Sequence, residues 1–143
     1  MGEGITPKGM ESFMSLVLVD TDILIDLAAD SKPAVDSIKI LGTEFMLAVS
    51  TITVMELTVG CRNKTELRNM EKFLERFEVS PLTERVSSIA VSLIKKYRLS
   101  HGLLLSDALI ASTAIANDIP LASKNQRDYR FIPDLNLLPY PYK

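Results

Sequence analysis

Residues 16–27 read LVLVDTDILIDL, and this stretch decides how the chain begins to fold. The first four residues form an unbroken apolar run, which is typical of a strand buried on both faces of a sheet. Beyond Asp20 the apolar residues Ile23, Leu24 and Leu27 lie on one side of a helix. The stretch therefore predicts a buried strand followed directly by a helix, which is the start of a βαβ unit.

The same alternation of strand and helix continues along the chain. Apolar runs predict further strands at 45–49, 78–82, 121–123 and 135–138, and apolar residues at helical spacing fill the segments between them. Hydroxyl side chains and glycines mark the helix ends. The predicted caps are Ser50 or Thr51, Thr65, Thr83 and Ser106 at the starts and Gly42 and Gly60 at the ends. This order predicts an α/β fold, with a mainly parallel sheet between helices, as a single domain over residues 15–143.

Composition limits the class of protein. The chain has 143 residues, of which 47% are hydrophobic and 24% charged, and this balance is ordinary for a globular protein. Its one cysteine and one histidine argue against a disulfide framework and a cysteine-rich zinc site. Residues 1–14 are predicted to be a flexible leader, because they are rich in glycine and lack the apolar stretch of a signal peptide. We expect a cytoplasmic protein without a membrane span, and the net charge of −2 excludes a bulk basic nucleic-acid coat.

Three acidic residues are candidates for a site at the carboxyl ends of the strands, where open α/β sheets bind ligands. Asp20 follows the first strand, Glu56 lies in the helix after the second, and Asp107 lies in the first turn of a later helix. Each has a purely structural alternative. Asp20 could be an N-cap, and Glu56 could form a capping box with Thr53. Asp107 could be present because the helix dipole stabilises a negative charge in the first turn. Glu56 is set among apolar neighbours, and an unpaired buried charge is costly, so we interpret it as functional.

Two further residues could complete a site of oxygen ligands. Asn125 and Asp128 follow the predicted strand at 121–123, where they could bind a cation or simply open a short helix. Three or four oxygen ligands without histidine or cysteine select hard cations such as Mg²⁺ or Mn²⁺. Two such ions can activate a water molecule and stabilise the leaving oxygen of a phosphodiester. The sequence therefore favours metal-dependent phosphodiester chemistry.

Four segments together resemble the PIN-domain ribonucleases, especially the VapC toxins of toxin–antitoxin pairs. They read LVLVDTDILIDL, STITVMEL, SDALIASTA and PLASKNQRDY, and the resemblance extends over residues 16–138. It implies a three-layer α/β/α sandwich, cleavage of RNA by a water that Mg²⁺ or Mn²⁺ activates, a homodimer, and a cognate antitoxin that covers the cleft. Asp22 and Ser123 depart from the asparagine and threonine that are frequent in the family.

The resemblance also implies roles for individual residues. By position, Asp20 and Asp107 match the main metal ligands, and Glu56 matches a ligand or a holder of metal-bound water. Asn125 matches a position that is aspartate in some members and asparagine in others. Asp128, one helical turn further on, is implied to have a supporting role.

Basic residues near these acids are candidates for binding the RNA backbone. Lys124 and Arg127 bracket the predicted site, and Arg62 follows the helix that carries Glu56. Position, rather than number, supports their assignment to RNA binding.

Two other functions remain open from the sequence. A phosphatase of the haloacid dehalogenase type also begins with an apolar strand and Asp-x-Asp, and Asp20 would then be a nucleophile. Leu24 departs from that motif, and the chain is short for such an enzyme. The second alternative is a non-catalytic PIN-fold scaffold that binds RNA, which would need none of Asp20, Glu56 and Asp107.

Overall fold

The computed structural model describes residues 14–143, so the predicted leader of residues 1–14 lies outside the described residues except for Met14. The elements, in chain order, are β1 (Leu16–Val19), α1 (Thr21–Ala28), α2 (Lys32–Glu44), β2 (Met46–Ser50), α3 (Thr51–Val59), α4 (Lys64–Leu74), β3 (Glu78–Ser80), α5 (Glu84–His101), α6 (Leu105–Ala116), β4 (Leu121–Ala122), α7 (Gln126–Tyr129) and β5 (Leu137–Leu138). Within this part of the chain, no helix has the length and apolar character needed to cross a membrane.

The five strands form one parallel sheet in the order β3-β2-β1-β4-β5. Leu18 in the central strand β1 pairs with Ala48 of β2 on one side and with Leu121 of β4 on the other. The chain moves outward through β2 and β3 and then returns to place β4 on the opposite side of β1. The edge between β1 and β4 is therefore the topological switch point of the sheet, where open α/β folds bind ligands.

Side chains of β1 alternate between two hydrophobic layers, as the pleat of a strand requires. Val17 and Val19 pack with residues of α1, α2 and α4, including Leu24. Leu18 points to the opposite face, where it joins Ile110 of α6 and residues of α5. Helices thus cover both faces of a parallel sheet, and the predicted three-layer α/β/α sandwich is confirmed.

Hydrogen bonds from backbone N–H groups to side chains fix several helix starts. Ser50 and Thr83 accept such bonds, at 3.2 Å each, in the first turns of α3 and α5, which confirms both as caps. The prediction of Thr65 as the cap of α4 is wrong, because the Asn63 side chain accepts a 2.9 Å bond from a backbone N–H of that helix. Asparagine and threonine are both good caps, and here the helix begins two residues earlier than the apolar spacing indicated.

Two other predicted boundaries are wrong. The helix α6 begins at Leu105, so Ser106 lies inside it, and its first turn has no side-chain cap. The helix α2 continues through Gly42 to Glu44. Leu41, just before the glycine, is fully buried against the sheet, and this burial outweighs the roughly 1 kcal/mol that a glycine costs within a helix.

Candidate active site

The candidate site lies where β1 and β4 end and where α1, α3, α6 and α7 begin. Asp20 directly follows β1, and Ser123 directly follows β4. Because these two strands are neighbours and parallel, the two side chains meet at the same edge of the sheet. The Ser123 hydroxyl donates a 2.7 Å hydrogen bond to Oδ2 of Asp20. Residues 103 positions apart are thus joined at the switch point.

Asp20 is both a helix cap and a buried acid. Its Oδ1 accepts the backbone N–H of Thr21 at 2.8 Å, and the side chain is only 3% exposed. Burial, followed by repulsion from Asp22, raises the pKa of Asp20 to about 7, although hydrogen bonds from Ser123, Tyr129 and Thr21 oppose the shift. The capping role that the sequence left open is therefore real, and it coexists with a carboxyl whose ionised form is costly.

Asp22 fastens the loop that follows β4. Its Oδ2 accepts the backbone N–H of Asn125 at 3.0 Å and lies 3.3 Å from the Ser123 hydroxyl. Its Oδ1 lies 3.4 Å from the backbone nitrogen of Lys124. Burial raises the pKa of Asp22, and these donors oppose that shift. From the sequence, Asp22 was a departure from the family pattern and part of the Asp-x-Asp motif of the phosphatase alternative, with no predicted contact to the loop after β4. Its partners are about 100 positions away, so no local pattern could have revealed this function.

Glu56 lies at the same edge in a different environment. It sits on the exposed side of α3, so the sequence argument that its apolar neighbours would bury it is wrong. Its Oε1 accepts a 2.7 Å hydrogen bond from the Thr21 hydroxyl, which also lies 2.9 Å from the hydroxyl of buried Thr53. The helix begins after Ser50, so Glu56 is beyond reach of the cap, and the capping-box alternative with Thr53 is excluded. Thr21 is what connects this glutamate to the end of β1.

Asp107 lies in the first turn of α6, and Tyr129 connects it to the rest of the site. The Tyr129 hydroxyl donates a 3.2 Å hydrogen bond to Oδ1 of Asp107. Burial raises the pKa of Asp107, and repulsion from Asp128, Glu56 and Asp22 raises it further, while the Tyr129 bond lowers it. These acids therefore lie near enough to influence one another electrostatically.

The donor set suits a hard cation. Among residues 14–143, no three aspartate, glutamate, histidine or cysteine side chains lie close enough together to hold an ion by themselves. Asp20 and Asp107, however, offer carboxylate oxygens whose charge burial and repulsion both oppose, and a bound cation would relieve that cost. Mg²⁺ commonly uses one or two carboxylates and completes its coordination shell with water.

The last two candidate ligands lie at the start of α7. Asn125 occupies the N-cap position without a side-chain cap; its backbone N–H donates to Asp22 and Ser123, and its backbone carbonyl accepts from the Asp128 N–H. Asp128 is exposed and acts on Asp107 through its charge. The predicted roles of both side chains as ligands stay predictions. Tyr129, the following residue, was missed as a site residue because its contact with Asp107 depends on how α7 packs against α6.

The three predicted RNA-binding residues are all exposed and differ in their partners. Arg62 is paired with Glu66 at 2.8 Å, and Lys124, in the loop after β4, is paired with Asp26 of α1 at 2.8 Å. Arg127 lies in α7 next to Asp128. Lys124 and Arg127 therefore flank the carboxylates, whereas the contacts of Arg62 tie it to the start of α4.

Comparison with known proteins places the chain in a family. The PIN domain family model matches residues 17–132, which includes every acidic residue of the site. Ribonuclease VapC10 of Mycobacterium tuberculosis is 35% identical over 111 residues, covering 77% of this chain and 83% of the relative. Ribonuclease VapC1 of Methanocaldococcus jannaschii is 31% identical over 135 residues, covering 93% of each protein.

Solved structures give the same result at the level of the fold. A chain in a toxin-antitoxin complex from Klebsiella pneumoniae superposes with a TM-score of 0.71 at 28% identity, covering 89% of this chain and 98% of the other. A chain of VapBC2 from Rickettsia felis gives a TM-score of 0.72 at 24% identity, covering 85% and 96%. This protein is therefore a PIN-domain protein that belongs with the VapC ribonucleases.

Proposed function

We propose that this protein is a metal-dependent endoribonuclease, the toxin of a toxin–antitoxin pair. One observation carries the proposal: Asp20 is buried at the switch point of the sheet, and its charge is made costly by burial and by Asp22. The ionised form of such a group costs stability, and a bound cation would offset that cost. Ribonuclease relatives that match most of the chain support RNA as the substrate.

Each side chain of the site has a separate role in the proposed hydrolysis. Asp20 and Asp107 would hold Mg²⁺ or Mn²⁺, which when bound acidifies a water and offsets charge on the phosphate. Ser123 fixes the orientation of Asp20 through its 2.7 Å hydrogen bond. Glu56, anchored by Thr21 but open to solvent, is placed to accept a proton from water or to orient it. Exposed lysine and arginine beside the site would bind the RNA backbone.

We also propose an antitoxin as the natural partner, bound to a homodimer in the cytoplasm. A groove of about 510 Å³ between α1, α3 and α4 includes Glu56 in its lining, along with apolar side chains such as Leu57 and Phe73. At its rim Ile25 is 57% exposed. A partner that buried these apolar groups would lie directly over Glu56 and block access to the site.

The experiment is cleavage of RNA by the purified protein with Mg²⁺, with Mn²⁺ and with EDTA. Cleavage is expected with either ion and absent in EDTA, and both Asp20→Asn and Asp107→Asn are expected to abolish it. Asp134→Asn, an equally conservative change at an exposed aspartate of the loop before β5, is the matched control and should cleave normally.

Three outcomes would contradict the proposal. Cleavage that persists in both site variants would mean that the reaction occurs elsewhere. RNA binding without cleavage under any metal condition would favour the scaffold. A phosphoryl group trapped on Asp20 would favour the phosphatase alternative, in which this aspartate is the nucleophile.

A further inference from the structure

Tyr129 is the largest fully buried side chain in the described part of the protein, and its polar end faces the candidate site. The ring packs in the core with Leu18, Ile110 and other residues of the α5–α6 layer. Its hydroxyl donates to Oδ1 of Asp107 at 3.2 Å and also lies near enough to Asp20 to lower the pKa of that carboxyl. One phenol therefore influences both aspartates.

The hydroxyl can act there only as a donor to the carboxylates. Burial raises the pKa of Tyr129 far above its usual range, and the charges of Asp20 and Asp107 raise it further. Even an ordinary tyrosine, with a pKa of about 10, keeps its proton and donates at neutral pH. Because the rigid ring is held by the core, the position of this donor is fixed by packing rather than by solvent.

Asp107 needs such a fixed donor more than Asp20 does. Asp20 is held on three sides, by Thr21, Ser123 and the strand that precedes it, and is almost fully buried. Asp107 is only half-buried, and the hydrogen bond from Tyr129 is the side-chain contact that the structure describes for its carboxylate. Without that bond, no side-chain hydrogen bond that the structure describes would fix the orientation of this carboxylate.

We propose that Tyr129 is a positioning residue for the divalent ion: its hydroxyl fixes the orientation of the Asp107 carboxylate at the candidate site and so raises the affinity of the site for the ion. The inference rests on the proposed function, because it assumes that these two aspartates bind the ion. Hydrogen-bond donors and acceptors behind metal ligands commonly change metal affinity or activity by about 10–100-fold.

The test is titration of the full chain with MnCl₂ by calorimetry, which measures ion binding without RNA. Tyr129→Phe removes only the hydroxyl and leaves the ring in the core. Tyr97→Phe is the matched control, because Tyr97 is also buried in the same core layer but packs against Phe131 and His101. We expect Tyr129→Phe to weaken Mn²⁺ binding about tenfold or more, and Tyr97→Phe to change it less than about twofold.

A second measurement separates positioning from damage to the fold. If Tyr129 acts through Asp107, excess Mn²⁺ should restore RNA cleavage by Tyr129→Phe to near the wild-type kcat, because a saturating ion orders the carboxylates itself. Thermal unfolding in EDTA shows whether either variant is misfolded. Incomplete restoration at saturating Mn²⁺ would indicate a role other than positioning and would overturn the inference.

The inference and the proposed function can fail separately. If the wild type binds Mn²⁺ and cleaves RNA but Tyr129→Phe binds Mn²⁺ equally well, Tyr129 has no positioning role, and the proposed function stands. If Tyr97→Phe weakens binding as much as Tyr129→Phe, the effect belongs to core packing and the inference is again wrong. If the wild type neither binds Mn²⁺ nor cleaves RNA, both fail together.

Discussion

Asp20 lies at the end of β1, and Glu56 lies in the helix that follows the neighbouring strand β2, yet their surroundings differ in burial and in hydrogen bonding. Asp20 is 3% exposed and is held by Thr21 and Ser123, and its pKa is raised to about 7. Glu56 is exposed, and one hydroxyl, that of Thr21, anchors it. Thr21 contacts both acids, so a single residue joins the rigid half of the site to the open half.

The difference separates two kinds of acidic function. A buried carboxylate with a fixed orientation suits an ion ligand, because its geometry is prepared before the ion arrives and the ion relieves its unfavourable charge. An exposed carboxylate on one anchor can move and stays hydrated, which suits contact with a water or a substrate that enters and leaves. Changes at Asp20 should therefore affect stability and ion binding together, whereas changes at Glu56 should affect the reaction alone.

The largest expected effect is at Asp20. Asp20→Asn keeps a helix-capping oxygen but removes the charge, so cleavage should fall by about 1,000-fold at saturating Mg²⁺. The same change should raise the melting temperature in EDTA at pH 8, because an unfavourable buried charge is gone. Cleavage assays and thermal unfolding of one protein sample measure both. An inactive variant that is also less stable in EDTA at pH 8 would contradict the claim that the buried charge of Asp20 is unfavourable without an ion.

The pH dependence of stability gives the next largest effect. Because the pKa of Asp20 is raised above its unfolded value of 3.8 to about 7, the folded state binds the proton more tightly. The stabilisation that comes from this tighter proton binding is complete below about pH 4 and is lost as the pH rises to about 7. The melting temperature in EDTA should thus fall by on the order of 5–10 °C between pH 4.5 and 7.5, unlike that of Asp20→Asn. Equal slopes in the two proteins would place the responsible group elsewhere.

Glu56 should show a smaller effect, confined to the reaction. Glu56→Gln should lower kcat about tenfold, because other waters can partly replace an exposed proton acceptor. Its melting temperature in EDTA should stay within about 1 °C of wild type, since the side chain is exposed. Glu71→Gln, an exposed glutamate of α4, serves as the control. If Glu56→Gln changed the melting temperature as much as Asp20→Asn does, Glu56 could not be distinguished from Asp20 as an acid that affects the reaction alone.

The smallest effect is expected at Ser123. Ser123→Ala removes the 2.7 Å bond to Asp20 and should cost about 1–2 kcal/mol at pH 8, where the carboxylate is ionised. That bond lowers the pKa of Asp20, so its loss should shift the pH dependence of stability to higher pH. Urea unfolding between pH 5 and pH 8 measures both quantities. A cost that is the same at every pH would show that the hydroxyl is not coupled to the ionisation of Asp20.

Local sequence predicted the elements better than their boundaries. Apolar runs and helical spacing indicated β1, α3 and α5, because burial on a parallel sheet imposes those patterns directly. The end of α2 was wrong, since packing of Leu41 carried the helix past Gly42. The strand order could not be read from the pattern, because neighbouring positions in a parallel sheet depend on crossovers rather than on local residues.

The site was predicted through its acids but not through what holds them. Asp20 and Asp107 were recognisable because they follow a strand and open a helix, respectively. Asp22 and Tyr129 were not, since each acts on residues more than 20 positions away that the fold brings close. Hydrogen bonds between residues so far apart produce no periodic pattern in the sequence, so they can be recognised only in the structure.

Ion binding by Asp20 and Asp107 can be seen directly in a crystal of the full chain soaked in MnCl₂ and measured at the manganese absorption edge. We expect an anomalous peak coordinated by carboxylate oxygens of Asp20 and Asp107, with the Tyr129 hydroxyl still bonded to Asp107. The absence of manganese from this edge of the sheet, with the two aspartates directed apart, would contradict this expectation.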